Sequence, residues 1–320
     1  MPSDTANLPR VVADGPLDPV IEELLNGKVE LLPWELTETG SDEPIDGVYT
    51  YGHLALDGEM LDRLPGVRII SNYGVGVDHI HVPDAAARGI PVGNTPNVLN
   101  GATADMAFAL LLAAGRRLAE GDRYARSPQF TSYDPGYMLG LEIHSTTLGI
   151  IGMGRIGREI AERGRAFDMR LLYHNRRRDE QAEQSLDARY CSFNEILAES
   201  DYLVIAVPLN DETCGMISRD ELHKMKSTAI LINIARGPIV NTDALTEALT
   251  NGDIYAAGLD VTDPEPLPRD HPLLQLDNVT IAPHLGSATE QTRQSMAEMS
   301  VENLLRGLRG EALVNEVGCM

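Results

Sequence analysis

Short apolar runs alternate with segments of helical period along most of the chain. In the first hundred residues the runs RVVAD (10–14), VELLP (29–33), GVYTY (47–51) and VRIISN (67–72) have the length and composition of strands. A second series follows: TTLGIIG, RLLYHN, YLVIAVPL, AILINIA, IYAAGLDV and NVTIAP, each separated from the next by a helical pattern. Strands alternating with helices predict an α/β protein with parallel sheets. Six strands joined in this way predict a doubly wound, Rossmann-type cofactor domain. The smaller first series predicts a flavodoxin-like domain. Turn formers crowd PVGNTPNVLN (91–100), which marks a crossing between domains, and ATADMAFALLLAAGRRLAEG (102–121) then reads as one strong helix. A last helix near 288–308 is expected to return to the first domain. The predicted division is 1–100 with 286–320, and 101–285 inserted between them. The expected site lies at the cleft between the two.

The loop between the first strand and helix of the second series carries candidate chemistry. It reads Gly152-Met153-Gly154-Arg155-Ile156-Gly157. In a dinucleotide-binding turn Gly152 permits the bend, Gly154 admits the pyrophosphate and Gly157 lets helix and strand approach. The helix N-terminus offers N–H groups and a favourable dipole to phosphate. The next strand ends at Asn175, where NAD-preferring domains usually place an acid for the ribose. Here Asn175 is followed by Arg176, Arg177 and Arg178. A carboxylate would repel a 2′-phosphate, whereas guanidinium groups bind it in forked pairs. The expected cofactor is therefore NADP(H), held through Arg176 and Arg177, with NAD(H) as a second possibility. The competing reading is a solvated charge run facing the acids of 179–183.

Later strands each deliver one reactive residue to a carboxyl-terminal loop: Arg236, Glu265 (in the proline-flanked DPEP) and His284. Arg236 would bind a carboxylate and polarise the adjacent ketone, and His284 would protonate its oxygen. Glu265 would orient the ring and stabilise its positive form.

Composition narrows the classes. The 320 residues suffice for about two domains. With 48 acids against 26 Lys plus Arg, the net charge of −22 opposes nucleic-acid binding. No apolar run approaches the roughly 20 residues that span a bilayer, so no membrane partner is expected. The start MPSDTANLPRVVADG lacks a secretory pattern. Cys191, Cys214 and Cys319 are odd in number and far apart, which suits a reducing cytoplasm and supplies no metal site.

The motifs NYGVGVDHI (72–80), NTPNVLNGATAD (94–105), TLGIIGMGRIG (147–157), VPLNDET (207–213), NIARGPIV (233–240), GLDVTDPEP (258–266) and APHLGSAT (282–289) together resemble the D-isomer-specific 2-hydroxyacid dehydrogenase family. The resemblance covers nearly everything from Asn72 to about Arg309. It implies the Arg236–Glu265–His284 triad, substrate carboxylate binding by the N–H groups of Val75 and Gly76, and a homodimer formed through the cofactor domains. It also implies cofactor contacts from Thr103, Val207, Pro208, Thr213, Ile234, Ala235, Asp260, His284 and Gly286. The segment 170–191 most resembles NADPH-linked glyoxylate/hydroxypyruvate reductases, including a 2-ketogluconate-reducing branch. A small 2-ketoacid is thus the expected substrate. Tyr133 departs from the tryptophan of many relatives, and the first 65 residues match only loosely. Formate dehydrogenases of the same fold carry glutamine in place of Glu265. A phosphoglycerate dehydrogenase or a dinucleotide-sensing binding protein remain as alternatives.

Overall fold

A computed structural model describes residues 8–318. Cys319 and the first seven residues of the N-terminal reading lie outside the described residues. The chain forms two compact units, one running to Leu99 and resuming at Thr289, the other spanning Asn100–Ala288.

The first unit holds strands β1 (Arg10–Ala13), β2 (Glu30–Pro33), β3 (Gly47–Thr50), β4 (Ile70–Asn72) and β5 (Val92–Gly93). They form a parallel sheet in the order β2-β1-β3-β4-β5, the flavodoxin-like arrangement. Successive side chains leave a strand on opposite faces. Val12, Val48, Ile70 and Val92 therefore share one core with Leu56, Leu61, Leu64 and Ile80. On the other face Tyr49 and Ser71 meet the helix Glu290–Arg309. The Tyr49 hydroxyl lies 2.7 Å from Ser300 Oγ, and Ser71 Oγ donates to the Ser300 carbonyl at 2.7 Å. Chain order reverses between β1 and β3. Across that point the buried Asp14 carboxylate accepts from the N–H groups of Tyr51, Gly52 and Leu54, which fixes the loop after β3.

The second unit contains β6 (Thr147–Ile151), β7 (Arg170–His174), β8 (Arg189–Tyr190), β9 (Tyr202–Ile205), β10 (Ile230–Asn233), β11 (Ala256–Leu259) and β12 (Val279–Ile281). Their order is β12-β11-β10-β9-β6-β7-β8, all parallel, as in a Rossmann sheet with one added edge strand. Strands β6, β9, β10 and β11 are buried along their whole length, because helices cover both faces. Tyr202 and Val204 enter one core with Leu148, Ile150 and Ala107. Leu203 and Ile205 enter the other with Leu231, Leu245 and Leu249.

Three details differ from the sequence expectation. Strands β5 and β8 are only two residues long, too short to show a pattern. The helix expected over 102–121 is two helices, Asn100–Gly115 and Leu118–Arg126, broken at Arg117 with φ of 51°. At the break the Gly115 carbonyl accepts from Leu141 N–H at 2.8 Å, and a Cβ on Gly115 would stand 2.8 Å from the Tyr202 hydroxyl. Arg117 then folds back onto Glu120 with bonds of 2.7 and 2.8 Å.

Candidate active site

At the carboxyl end of β6 the chain turns sharply through Gly152, whose φ is +103°. A Cβ there would lie 2.5 Å from the Ala206 carbonyl and 2.9 Å from Val207, so only glycine fits. A Cβ on Gly157 would lie 2.1 Å from the Gly152 carbonyl, which ties the helix Arg155–Ala166 to the turn. Gly154 differs: a Cβ there would meet nothing of the protein within 4 Å. No side chain caps this helix, so the N–H groups of its first turn, beginning with Arg155 and Ile156, have no acceptor within the helix. An uncapped N-terminus beside an unobstructed glycine fits a pyrophosphate. Met153 is less available, since its N–H already donates to Asn175 Oδ1 at 2.7 Å. Asn175 thereby braces the glycine loop from the end of β7, a role that its sequence position did not reveal.

The three arginines are not equivalent. Arg178 makes two 2.6 Å bonds to Glu183, so the charge-run reading applies to it. That pairing holds the Glu183 carboxyl below its ordinary range. Arg176 makes one exposed contact to Glu212 at 3.4 Å. Arg177 is exposed and forms no ion pair among the described residues.

Beyond β9, Val207 and Pro208 begin a loop closed by Thr213. The buried Thr213 hydroxyl donates to the Pro208 carbonyl at 2.7 Å and accepts from Asn210 N–H at 2.9 Å. Its visible work is thus bracing the loop. Thr103, on the helix Asn100–Gly115, borders Gly286 together with Asp260: a Cβ on Gly286 would stand 3.6 Å from Thr103 Oγ1 and 2.9 Å from Asp260 Oδ2. Asp260 is buried and accepts from the N–H groups of Leu285 and Gly286 at 2.6 and 2.8 Å. Burial pushes its carboxyl up, against the pull of those two donors.

The triad stands on three neighbouring loops of this sheet. After β10 the buried Asn233 folds the turn: Oδ1 accepts from Ala235 N–H at 3.1 Å and Nδ2 donates to the Arg236 carbonyl at 2.9 Å. Ile234 is buried within that turn, and Arg236 leaves it half-buried. Gly237 presses on the loop after β11, for a Cβ there would sit 1.9 Å from the Thr262 carbonyl. Glu265 follows in that loop, flanked by cis peptide bonds at Asp263-Pro264 and Glu265-Pro266. Its Oε1 is 2.8 Å from His284 Nδ1. Burial alone would raise the Glu265 carboxyl. The His284 hydrogen bond and charge, with Arg236 contributing, bring it below the ordinary value. The structure thus places Glu265 on His284 and brings Arg236 within electrostatic reach.

Three kinds of comparison relate the chain to known proteins. The model for the D-isomer-specific 2-hydroxyacid dehydrogenase NAD-binding domain matches residues 108–286. The chain belongs to the D-isomer-specific 2-hydroxyacid dehydrogenase family. It is therefore an oxidoreductase with an NAD(P)-binding domain, acting on the 2-ketoacid/2-hydroxyacid pair. A glyoxylate reductase of Pyrococcus furiosus is 47% identical over 279 residues, covering 85% of this chain and 83% of that protein. One from Aeropyrum pernix is 43% identical over 320 residues, covering 97% and 96%. Among solved structures, an NADPH-dependent glyoxylate/hydroxypyruvate reductase of Sinorhizobium meliloti, in complex with NADP and malonate, superposes with a TM-score of 0.88. It is 32% identical and covers 97% of this chain and 96% of its own.

The loop Val75–Gly76 lies just past β4 in the first unit. Both residues are partly exposed beside the buried Asn72. Among the described residues no His/Cys/Asp/Glu group is arranged for a metal, and no helix is long and apolar enough to cross a membrane.

Proposed function

We propose that this enzyme reduces glyoxylate to glycolate, and by the same chemistry hydroxypyruvate and 2-ketogluconate to the D-2-hydroxyacids, with NADPH. The observation that carries the chemistry is the Glu265–His284 bond beside Arg236, on the sheet that also presents the glycine turn. The dinucleotide, when bound, supplies hydride to the carbonyl carbon. Arg236 binds the carboxylate and polarises the carbonyl, and the N–H groups of Val75 and Gly76 serve as carboxylate donors. His284 moves a proton from Nε2 to the carbonyl oxygen, while Glu265 stays ionised and compensates the ring's charge. One hydride and one proton convert the aldehyde of glyoxylate into the alcohol of glycolate.

Support for NADPH comes from the absence of an acid at Asn175 and from the unengaged Arg177. The Sinorhizobium meliloti relative is itself described as NADPH-dependent. A steady-state panel of these ketoacids with both cofactors is expected to give kcat/KM at least about tenfold higher with NADPH, the worth of one charge-assisted hydrogen bond to phosphate at an exposed site. Arg177→Ser should erase most of that advantage and leave the NADH rate in place. Equal use of NADH by the wild type would overturn the arginine argument. Absence of turnover with either cofactor, despite binding, would favour the dinucleotide sensor.

The same reading includes a homodimer. Leu118, Phe130, Tyr133, Tyr137 and Leu139 are exposed along 118–139, and Tyr124 gathers Phe130 and Tyr137 around it at 5.5 and 4.8 Å. Apolar surface concentrated in one segment suits a second copy of this chain. Light scattering should give twice the chain mass, and Tyr133→Asp with Leu139→Asp should give the monomer. A monomeric wild type would remove this assignment.

A further inference from the structure

The loop that follows β4 owes its conformation to two buried or half-buried asparagines. Asn72 is fully buried; its Nδ2 donates to the Gly74 carbonyl at 3.0 Å and to the Gly76 carbonyl at 2.9 Å. Its Oδ1 accepts from Thr50 Oγ1 at 2.8 Å, so the amide cannot turn. Asn94, just past β5, donates from Nδ2 to the Val75 carbonyl at 2.8 Å, and Thr95 N–H adds a 2.9 Å bond to Gly74. Three consecutive carbonyls are thus taken up by the protein. In a trans peptide the N–H points opposite to the C=O. The N–H groups of Val75 and Val77 therefore face away from Asn72, and that of Gly76 faces away from Asn94. None of the three has an acceptor among the described residues, and all three residues are partly exposed.

Asn94 is itself held from the far end of the chain. Asn303, on the helix Glu290–Arg309, donates to the Asn94 carbonyl at 3.0 Å, and Asn315 Nδ2 donates to Asn94 Oδ1. Asn303 Oδ1 accepts from Asn315 N–H at 3.1 Å, which closes a ring of amides. Alongside it Val317 N–H donates to the Val92 carbonyl at 2.8 Å.

We propose that Asn94, supported by Asn315, is a positioning residue for substrate anion recognition: it sets the direction of the Gly76 N–H within a three-donor cradle formed by Val75, Gly76 and Val77. The inference rests on the reading that this loop receives the substrate carboxylate. Without the Asn94 donor the Val75–Gly76 peptide is free to rotate, and the Gly76 N–H no longer stays aimed at an anion.

The test uses the full-length enzyme with oxamate, an unreactive anionic analogue of glyoxylate. Asn94→Ala should raise the oxamate Ki and the glyoxylate KM about tenfold, the worth of one well-directed hydrogen bond to a charged group. The NADPH dissociation constant should stay within twofold. Asn94→Asp, which keeps the shape and loses the donor, should behave alike. Asn315→Ala, a milder change in a peripheral segment, should raise the Ki about threefold and serves if Asn94 variants do not fold. A Ki within twofold of wild type in every variant that folds overturns the inference. So does a parallel loss of NADPH affinity, which would mark a merely structural role. Wild-type enzyme indifferent to oxamate overturns the carboxylate-loop reading itself, and the inference with it.

Discussion

His284→Ala is expected to turn over about 10²–10⁴ times more slowly at saturating substrate with little change in NADPH affinity, the range for removing a positioned proton donor. The side chain is held in place more firmly than a loop histidine needs to be. Its backbone adopts φ of 56°, a left-handed conformation uncommon outside glycine. Its N–H donates to the Asp260 carbonyl at 2.9 Å, and the two following N–H groups grip the Asp260 carboxylate. The ring is then fixed by Glu265 at 2.8 Å. Such restraint fits a group whose proton must be delivered along one line. Stopped-flow turnover and a fluorescence titration with NADPH separate the two quantities. A near-normal kcat in the variant would remove histidine from the mechanism.

Arg236→Ala should be of comparable size but different in kind, lowering kcat/KM by about 10²–10³ through both parameters. In the proposed mechanism the guanidinium binds the substrate's carboxylate in the ground state, which enters KM. It also faces the charge that grows on the carbonyl oxygen, which enters kcat, and losing one such donor costs on the order of a hundredfold or more. Arg236→Lys should recover only part of the loss, because an ammonium is a compact point charge without the planar fork that serves carboxylate and carbonyl together. A variant with raised KM and unchanged kcat would confine Arg236 to binding.

Much of this was legible in the chain itself, for identifiable reasons. The long strands β6, β9 and β10 are buried on both faces and so appear as unbroken apolar runs. The glycine turn is dictated by contacts as close as 2.1 Å, which no other residue survives, and so it persists as a motif. Arg236, Glu265 and His284 lie at strand ends, where chemistry can be guessed from residue type. What escaped notice is short or depends on partners. Strands β5 and β8 carry no period. The break at Arg117 lies among good helix formers and is set by Tyr202 and Leu141, distant in sequence. Asn72, Asn94, Asn175 and Asn233 act only through what they touch, and an amide's composition says nothing of that. Arg178 looks like its neighbours in the sequence, and only the fold sets Glu183 opposite it.

The two sheets reverse their chain order at one point each, and they treat those crevices in opposite ways. Beside β6 the backbone leaves its donors turned outward, so negative charge has to arrive from solution. Between β1 and β3 the chain brings its own: Asp14 occupies the place where a phosphate would sit in a flavodoxin-like sheet, and three backbone donors are spent on it. A nucleotide seeking that second crevice would meet a fixed carboxylate, with the N–H groups of Tyr51, Gly52 and Leu54 already engaged by it. Two parallel sheets of nucleotide-binding type thus share one polypeptide, and in the first of them three donors at the reversal are committed to the chain's own aspartate.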